Sequence, residues 1–300
     1  MRKKGGFKPL SVLRAYFGFV VANFDQSELY GFVEGIEEEV TEDSPMPYSV
    51  GHAEYIADVE SYIEEIKSGR IEKAIYSRIK PVNGEPINLF EKLDQAYPDA
   101  FVYEVKSNVL GHWIGATPEY LVKQRGDEFS FVSLAGTKLK GDNSGWGQKE
   151  IHEQAIVTDY LAERIQETGL QVESKQGPKD HVAGPVKHLK TVFECVGNAE
   201  IDHLVRTLHP TPAVSGTPQD KAISFIKQKE RHDRELYAGV VGVIDPQRTD
   251  LFVNLRCLKV VQGKPFLYVG GGITCDSDPE KEWIETENKA KTLEQFLKNS

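Results

Sequence analysis

Between Gly239 and Thr274 the chain carries three apolar runs in close succession, "GVVGVID", "LFVNLRCLKVV" and "FLYVGGGIT". Each is short and rich in β-branched or aromatic residues, the pattern of a strand. Further runs upstream read the same way: "AYFGFVVANFD", "LYGFVEG", "IEKAIYSRIK", "FVYEVKS", "HWIGAT" and "EFSFVSLAG". Strands outnumber helices and cluster in adjacent runs. That predicts large antiparallel or mixed sheets with helices on the outside.

A first helix is expected over residues 51–68, where Ile56, Val59, Ile63 and Ile66 fall at helical spacing and Gly69 supplies a stop. Others are expected around "NLFEKLDQAY", over 148–168, near 199–207, near 218–229, and from Pro279, a residue suited to a first helical turn. "GDNSGWG" and "GPKDHVAGPVK" read as loops, the second leading into an irregular "HLKTVFECV". No repeat, low-complexity tract or clear linker interrupts the chain.

The 300 residues, 39% hydrophobic and 27% charged, suffice for a sizeable core. A net charge of −10 argues against nucleic acid and against an anionic membrane surface as partners. An anionic substrate would therefore need local positive charge at its site. Cys195, Cys257 and Cys275 are odd in number and form no C-x-x-C, which reads as free thiols in a reducing cytosol, without disulfides or zinc. The run after "MRKKGGF" is too short and too soon polar for a signal peptide or membrane span, so a cytoplasmic protein is expected.

Several residues carry chemistry. In "IEKAIYSRIK", Ile71, Lys73, Ile75 and Ile79 share one face of the strand, opposite Glu72, Ala74, Tyr76 and Arg78. Lys73 is then either a snorkelling lysine near a strand end or a lysine in a dry pocket, its pKa lowered so that it serves as a neutral base. "YVGGGIT" places three glycines after a strand, either as a bend or as backbone bared for a ligand. "SLAGTKLKG" likewise ends a strand in a turn of small residues. Arg256, sharing a strand face with Phe252, Asn254 and Leu258, is a salt-bridge partner or a fork for a carboxylate. His188 and His209 have no metal-ligand spacing and read singly as structural.

Glu150 and Glu153 in "KEIHEQ", and Glu282 and Glu285 in "PEKEWIETENK", each sit three apart and so share a helix face. They are either solvated surface or two pairs closing on one cation. An all-oxygen set without histidine or cysteine suits magnesium.

Taken together, "IEKAIYSR", "GATPEYL", "SLAGT", "KEIHEQ", "KHL", "HPTPAVSGTP", "RHDRELYAGVVGVID", "LFVNLRCLKV" and "VGGGITCDSDPEKEWIETENKAK" resemble the chorismate-utilising enzymes, in family order over about residues 50–295. The resemblance implies an α+β fold of the two-layer sandwich type: two large, mainly antiparallel sheets packed together, helices outside and the site in a cleft between them. It implies a single chorismate-binding domain over 1–300, with 49–300 as catalytic core and 1–48 as the remnant of a shortened N-terminal portion. The chain is then a minimal form or a fragment.

Within that family, Lys73, Ala135 and "HPTPAVSG" resemble the isochorismate synthase branch; anthranilate synthases typically carry glutamine at the place of Lys73, and aminodeoxychorismate synthases a lysine at the place of Ala135. Carried over, Lys73 is the general base that activates water and Glu119 the general acid. Glu153 and Glu285 hold Mg2+, with Glu150 and Glu282 close by through water. Tyr237 and Arg256 bind the enolpyruvyl carboxylate. Ala135, Gly136, Thr137 and the backbone of Gly270, Gly271 and Gly272 line the substrate, and His188 and Lys289 stand beside them. The implied partner is the small molecule chorismate, with no obligatory protein partner, and the product feeds menaquinone or siderophore synthesis. Salicylate synthase, anthranilate synthase component I and a non-catalytic binding protein of the same fold are the competing readings. The sequence departs from the family pattern at Gln154, where relatives often carry histidine, in its late start, and in a short connection between Thr137 and Glu153.

Overall fold

The computed structural model of the protein describes residues 3–14, 16–36 and 44–298. Two sheets account for its strands. The larger, of nine strands, runs in the order β1 (Gly5–Pro9), β3 (Leu29–Glu34), β2 (Gly18–Ala22), β12 (Val240–Asp245), β13 (Arg248–Val253), β7 (Tyr120–Arg125), β8 (Glu128–Leu139), β10 (Val186–Val196) and β9 (Gln171–Ala183). The smaller, of six, runs β11 (Gly216–Thr217), β4 (Lys73–Pro81), β15 (Lys264–Ile273), β14 (Cys257–Val261), β6 (Gly111–Thr117) and β5 (Phe101–Ser107). Every pairing between them is antiparallel. The helices are α1 (His52–Lys67), α2 (Leu89–Ala96), α3 (Gln148–Glu167), α4 (Ile201–Leu208), α5 (Gln219–Lys229) and α6 (Pro279–Glu294).

The period of two along each strand sorts side chains between layers. On β15, Phe266 and Tyr268 join the main core with Trp113, Cys257, Val122 and Leu251, which come from both sheets. Leu267 and Val269 point the other way, against Leu89 and Leu93 of α2 and Ala290 and Leu293 of α6. Trp113 lies at the centre of the inter-sheet core and is fully buried; truncating it to alanine would cost about 3–5 kcal/mol. A further cluster packs Tyr55, Val59 and Tyr62 of α1 onto Ala74 and Tyr76 of β4 and Phe225 of α5. The smaller sheet is thus covered on both faces.

One expectation for β4 is corrected. Lys73 does share the inward face with Ile75 and Ile79, and the opposite face is buried as well. Tyr76 and Arg78 are buried beneath helices, with the Arg78 guanidinium 3.8 Å from the centre of the Trp283 ring. Ile71 precedes the strand and joins the helix-side cluster instead.

Further expectations are corrected. "LFVNLRCLKVV" is two strands, because the chain leaves the larger sheet after Val253 and enters the smaller one at Cys257. Asn254 makes the break possible: its buried amide donates to Leu236 O at 2.8 Å and accepts from the Tyr103 hydroxyl at 2.7 Å. Arg256 therefore does not alternate with Phe252 and Leu258; it sits in the crossover at φ +49°. The expected loop at "GPKDHVAGPVK" and the irregular "HLKTVFECV" form the β9–β10 hairpin. β9 is an edge strand exposed along most of its length, so it carries no apolar alternation and tolerates Pro178. Gly270, Gly271 and Gly272 lie inside β15, not after it, and β8 continues through Gly136 to Leu139. The strands β1, β7 and β11 were not expected. Within the 1–48 segment, residues 1–2, 15 and 37–43 lie outside the described residues.

Candidate active site

The chain passes from a strand of one sheet to a strand of the other without an intervening helix at two adjacent places. One is "TPE", between β6 in the smaller sheet and β7 in the larger; the other is Asn254–Arg256, between β13 and β14. They are stapled to one another. The Thr117 hydroxyl donates to Val253 O at 2.5 Å, Val253 N–H to Glu119 O at 2.9 Å, and Ala116 N–H to Arg256 O at 3.0 Å. Beside these crossovers the sheets part around a partly open cleft. Lys73, Glu119, Ala135, Gly136, Thr137 and Glu153 line it, as do His188, Tyr237, Arg256, Gly270, Gly271, Gly272, Glu285 and Lys289.

Lys73 opens β4 and is 2% exposed. Burial pulls its pKa below the ordinary lysine value, against the opposing pull of Glu153. Glu119, 3% exposed, is pushed up to about 8 by burial, with Lys73, Lys289 and Arg256 holding it lower than burial alone would. One cleft thus holds a lysine biased toward the neutral amine and a glutamate biased toward the neutral acid, the arrangement that proton transfer in both directions requires. Gly272 must be glycine for this. A β-carbon there would lie 2.7 Å from Lys73 Cε and 3.0 Å from Glu153 Oε1.

A second chain of contacts fixes Arg256. Its Nη1 donates to Thr292 Oγ1 at 2.7 Å and its Nη2 to His188 Nε2 at 2.9 Å. His188 Nδ1 lies 2.7 Å from Gly136 O. A guanidinium only donates and a carbonyl only accepts, so the proton of His188 sits on Nδ1. Burial and the neighbouring Arg256 push the His188 pKa down to about 3, which keeps the ring neutral. Gly136, at φ +66°, turns its carbonyl toward this ring. Tyr237 stands against Gly270, where a β-carbon would come within 2.9 Å of the phenol oxygen. Lys289 donates to Gly270 O at 2.8 Å and pairs with Glu285 at 2.7 Å. His209 is buried but stands apart from the cleft.

The acids come from the first two turns of α3 and α6. Asp278 caps α6, accepting from Lys281 N–H, with Pro279 behind it. Glu153 and Glu282 are buried, and Glu153 Oε1 and Glu282 Oε2 have no hydrogen-bond partner. Glu282 lies behind the glycine backbone, its Oε2 3.3 Å from where a Gly271 β-carbon would be. Glu150 stands back from the cleft, its Oε2 lying over Gly147. Burial and the neighbouring Glu285 raise the Glu282 pKa; for Glu285, burial is outweighed by Lys289 and Lys149, which lower it. Lys149, absent from the sequence-based set, bonds Glu282 and lies 3.8 Å from Glu153. Its position four residues before Glu153 is the signal that could have found it.

As these side chains stand, no group of three acids, histidines or cysteines among the described residues is disposed to hold a metal ion. The donor chemistry nevertheless fits a hard divalent cation: carboxylates alone, two of them with buried unpartnered oxygens. A buried carboxylate oxygen without a donor is costly, and a cation is one remedy.

Such an arrangement is a candidate acid–base site set between two antiparallel sheets. The profile of the chorismate binding enzyme family matches residues 33–298, and the chain belongs to that family. It is 30% identical over 241 residues to isochorismate synthase EntC of Escherichia coli, covering 75% of this chain and 62% of that one. It is 29% identical over 257 residues to the salicylate biosynthesis isochorismate synthase of Pseudomonas aeruginosa, covering 80% and 54%. The chain therefore spans less than two thirds of these relatives. The fold is similar to that of a putative 2,3-dihydroxybenzoate-specific isochorismate synthase of Bacillus anthracis, with a TM-score of 0.76, 25% identity, and 93% of this chain and 83% of that one covered. Anthranilate synthase component I of Streptococcus pneumoniae has the same fold at a TM-score of 0.71 and 24% identity, covering 86% and 61%.

Proposed function

We propose that this chain is an isochorismate synthase, converting chorismate to isochorismate by adding water at C2 and releasing the C4 hydroxyl. The observation that carries the reading is the opposed pair in one cleft: Lys73 pulled toward the free amine and Glu119 pushed up to about 8. Neutral Lys73 takes a proton from water, whose oxygen bonds to C2. The ring double bonds shift, the C4–O bond breaks, and Glu119 gives its proton to the departing oxygen, which leaves as water. One water enters and one leaves, so the product is an isomer. Arg256, held by His188 and Thr292, and Tyr237 beside it take the enolpyruvyl carboxylate. The backbone of Gly270 to Gly272 lets the ring approach closely, and Ala135 leaves space where a larger side chain would reach the ring.

Mg2+ bound by Glu153 and Glu285, with Glu150 and Glu282 alongside, would neutralise the ring carboxylate and polarise the conjugated diene. The test is incubation of the full chain with chorismate and Mg2+, products being resolved by chromatography. Isochorismate as the released product is expected. Salicylate with pyruvate, or anthranilate when ammonia is supplied, would assign the chain to another reaction of the family, and unchanged chorismate would remove the catalytic reading.

A further inference from the structure

Lys149 is placed where a metal-binding cluster would be expected to tolerate no cation of its own. It lies in the first turn of α3, its ammonium bonded to Glu282 Oε1 on α6 and 3.8 Å from Glu153 Oε1. Among the described residues it is the one ion-pair partner of both acids. Glu282 gains one further donor, the Ser277 hydroxyl at 2.8 Å. Even so, Glu153 Oε1 and Glu282 Oε2 remain without a hydrogen-bond partner. The lysine therefore balances the charge without satisfying the oxygens. Its side chain is 26% exposed, against 2% for that of Glu282, so it has a path to water that the acid lacks.

We infer that Lys149 is a built-in counter-cation. It stands in for the divalent ion in the empty enzyme, holds α3 and α6 together, and sets the affinity of the site by being displaced when the ion arrives. The inference rests on the magnesium reading above. The physics is one of substitution: like charges several ångströms apart in a partly buried site repel strongly, so ammonium and Mg2+ do not share the same carboxylates at equal cost. Without either cation, the buried acids of α3 and α6 face each other unbalanced.

The test compares wild type with Lys149→Met and Lys149→Gln, stripped of metal and titrated with MgCl2 in a calorimeter. Both variants should melt lower than wild type when ion-free, and both should bind Mg2+ roughly tenfold or more tightly. In wild type, an amine-reactive label read by mass spectrometry should mark Lys149 more strongly once Mg2+ is added. Mg2+ binding by wild type with no gain in either variant, or labelling of Lys149 unchanged by Mg2+, would overturn the displacement idea alone. Absence of Mg2+ binding by all three proteins would overturn the magnesium reading and this inference with it.

Discussion

Glu119 couples function to stability at the scale of one residue. Its carboxyl is pushed up to about 8 from an ordinary value of 4.5, so between those values the folded protein holds a proton that the unfolded chain gives up. Stability from this group is complete below the unfolded value and is lost as pH rises through about 8. Glu119→Gln, neutral at every pH, removes that slope. Melting curves from pH 5 to 9 should therefore show the variant gaining on wild type as pH rises, by a few kcal/mol at most; parallel curves would mean that the carboxyl is not protonated in the fold. The same variant should lose ~10²–10⁴-fold in turnover, as should Lys73→Ala. Wild-type rate should fall at low pH, where Lys73 takes a proton, and above about 8, where Glu119 loses one; the two limbs belong to the interacting pair. Whatever rate remains in Glu119→Gln should lack the upper limb.

His188 makes a separate prediction. Its ring is neutral and its Nε2 accepts from Arg256, so it acts by aiming the guanidinium. His188→Ala should raise KM for chorismate more than it lowers kcat, without moving either limb of the pH profile. A displaced limb would make His188 a proton carrier.

At the scale of elements, the two stapled crossovers explain why the site lies where it does. Regular strands put side chains into the core or under the helices; the breaks at "TPE" and "NLR" release Glu119 and Arg256 from that alternation and aim them into the cleft. The bare segment of β15 completes the geometry. Gly272→Ala should cut activity while leaving the melting temperature nearly unchanged, because the added methyl meets the flexible end of Lys73 and not backbone. A large fall in melting temperature would show a structural role instead.

Much of this was legible in the sequence. The clustered strand runs, the helix from Pro279 with Glu282 and Glu285 on one face, and Lys73 among isoleucines all follow from periodicity. The crossover inside "LFVNLRCLKVV" was not, since apolar character continues unbroken across it and only the buried hydrogen bonds of Asn254 mark the change of sheet. Nor was β9, whose exposed, polar edge carries no period. Lys149 was hidden because a cation beside two acids reads as an ordinary surface pair until the burial of its partners is known.

For the whole molecule, Arg256 and Lys289 in the cleft are the local positive charge that an anionic ligand would need in a chain of net charge −10. The acids come from helices far apart in sequence, α3 and α6, which Lys149 links through Glu282, so an ion bound between them would tie together distant segments of chain. Mg2+ should raise the melting temperature, and more so with chorismate present, because a ligand that binds only the folded state stabilises it. Glu153→Gln should blunt the response; an identical response would remove Glu153 from the ion's ligands.

The central claim is that one cleft adds a solvent oxygen to C2 and expels another from C4. Turnover of chorismate in water enriched in oxygen-18, with the isochorismate analysed by fragment mass spectrometry at early conversion, tests it directly. The account predicts one heavy oxygen per product molecule, located at C2, with formation abolished by Lys73→Ala. Isochorismate without the label would mean that the hydroxyl migrates without exchange, and the roles given to Lys73 and Glu119 would be wrong.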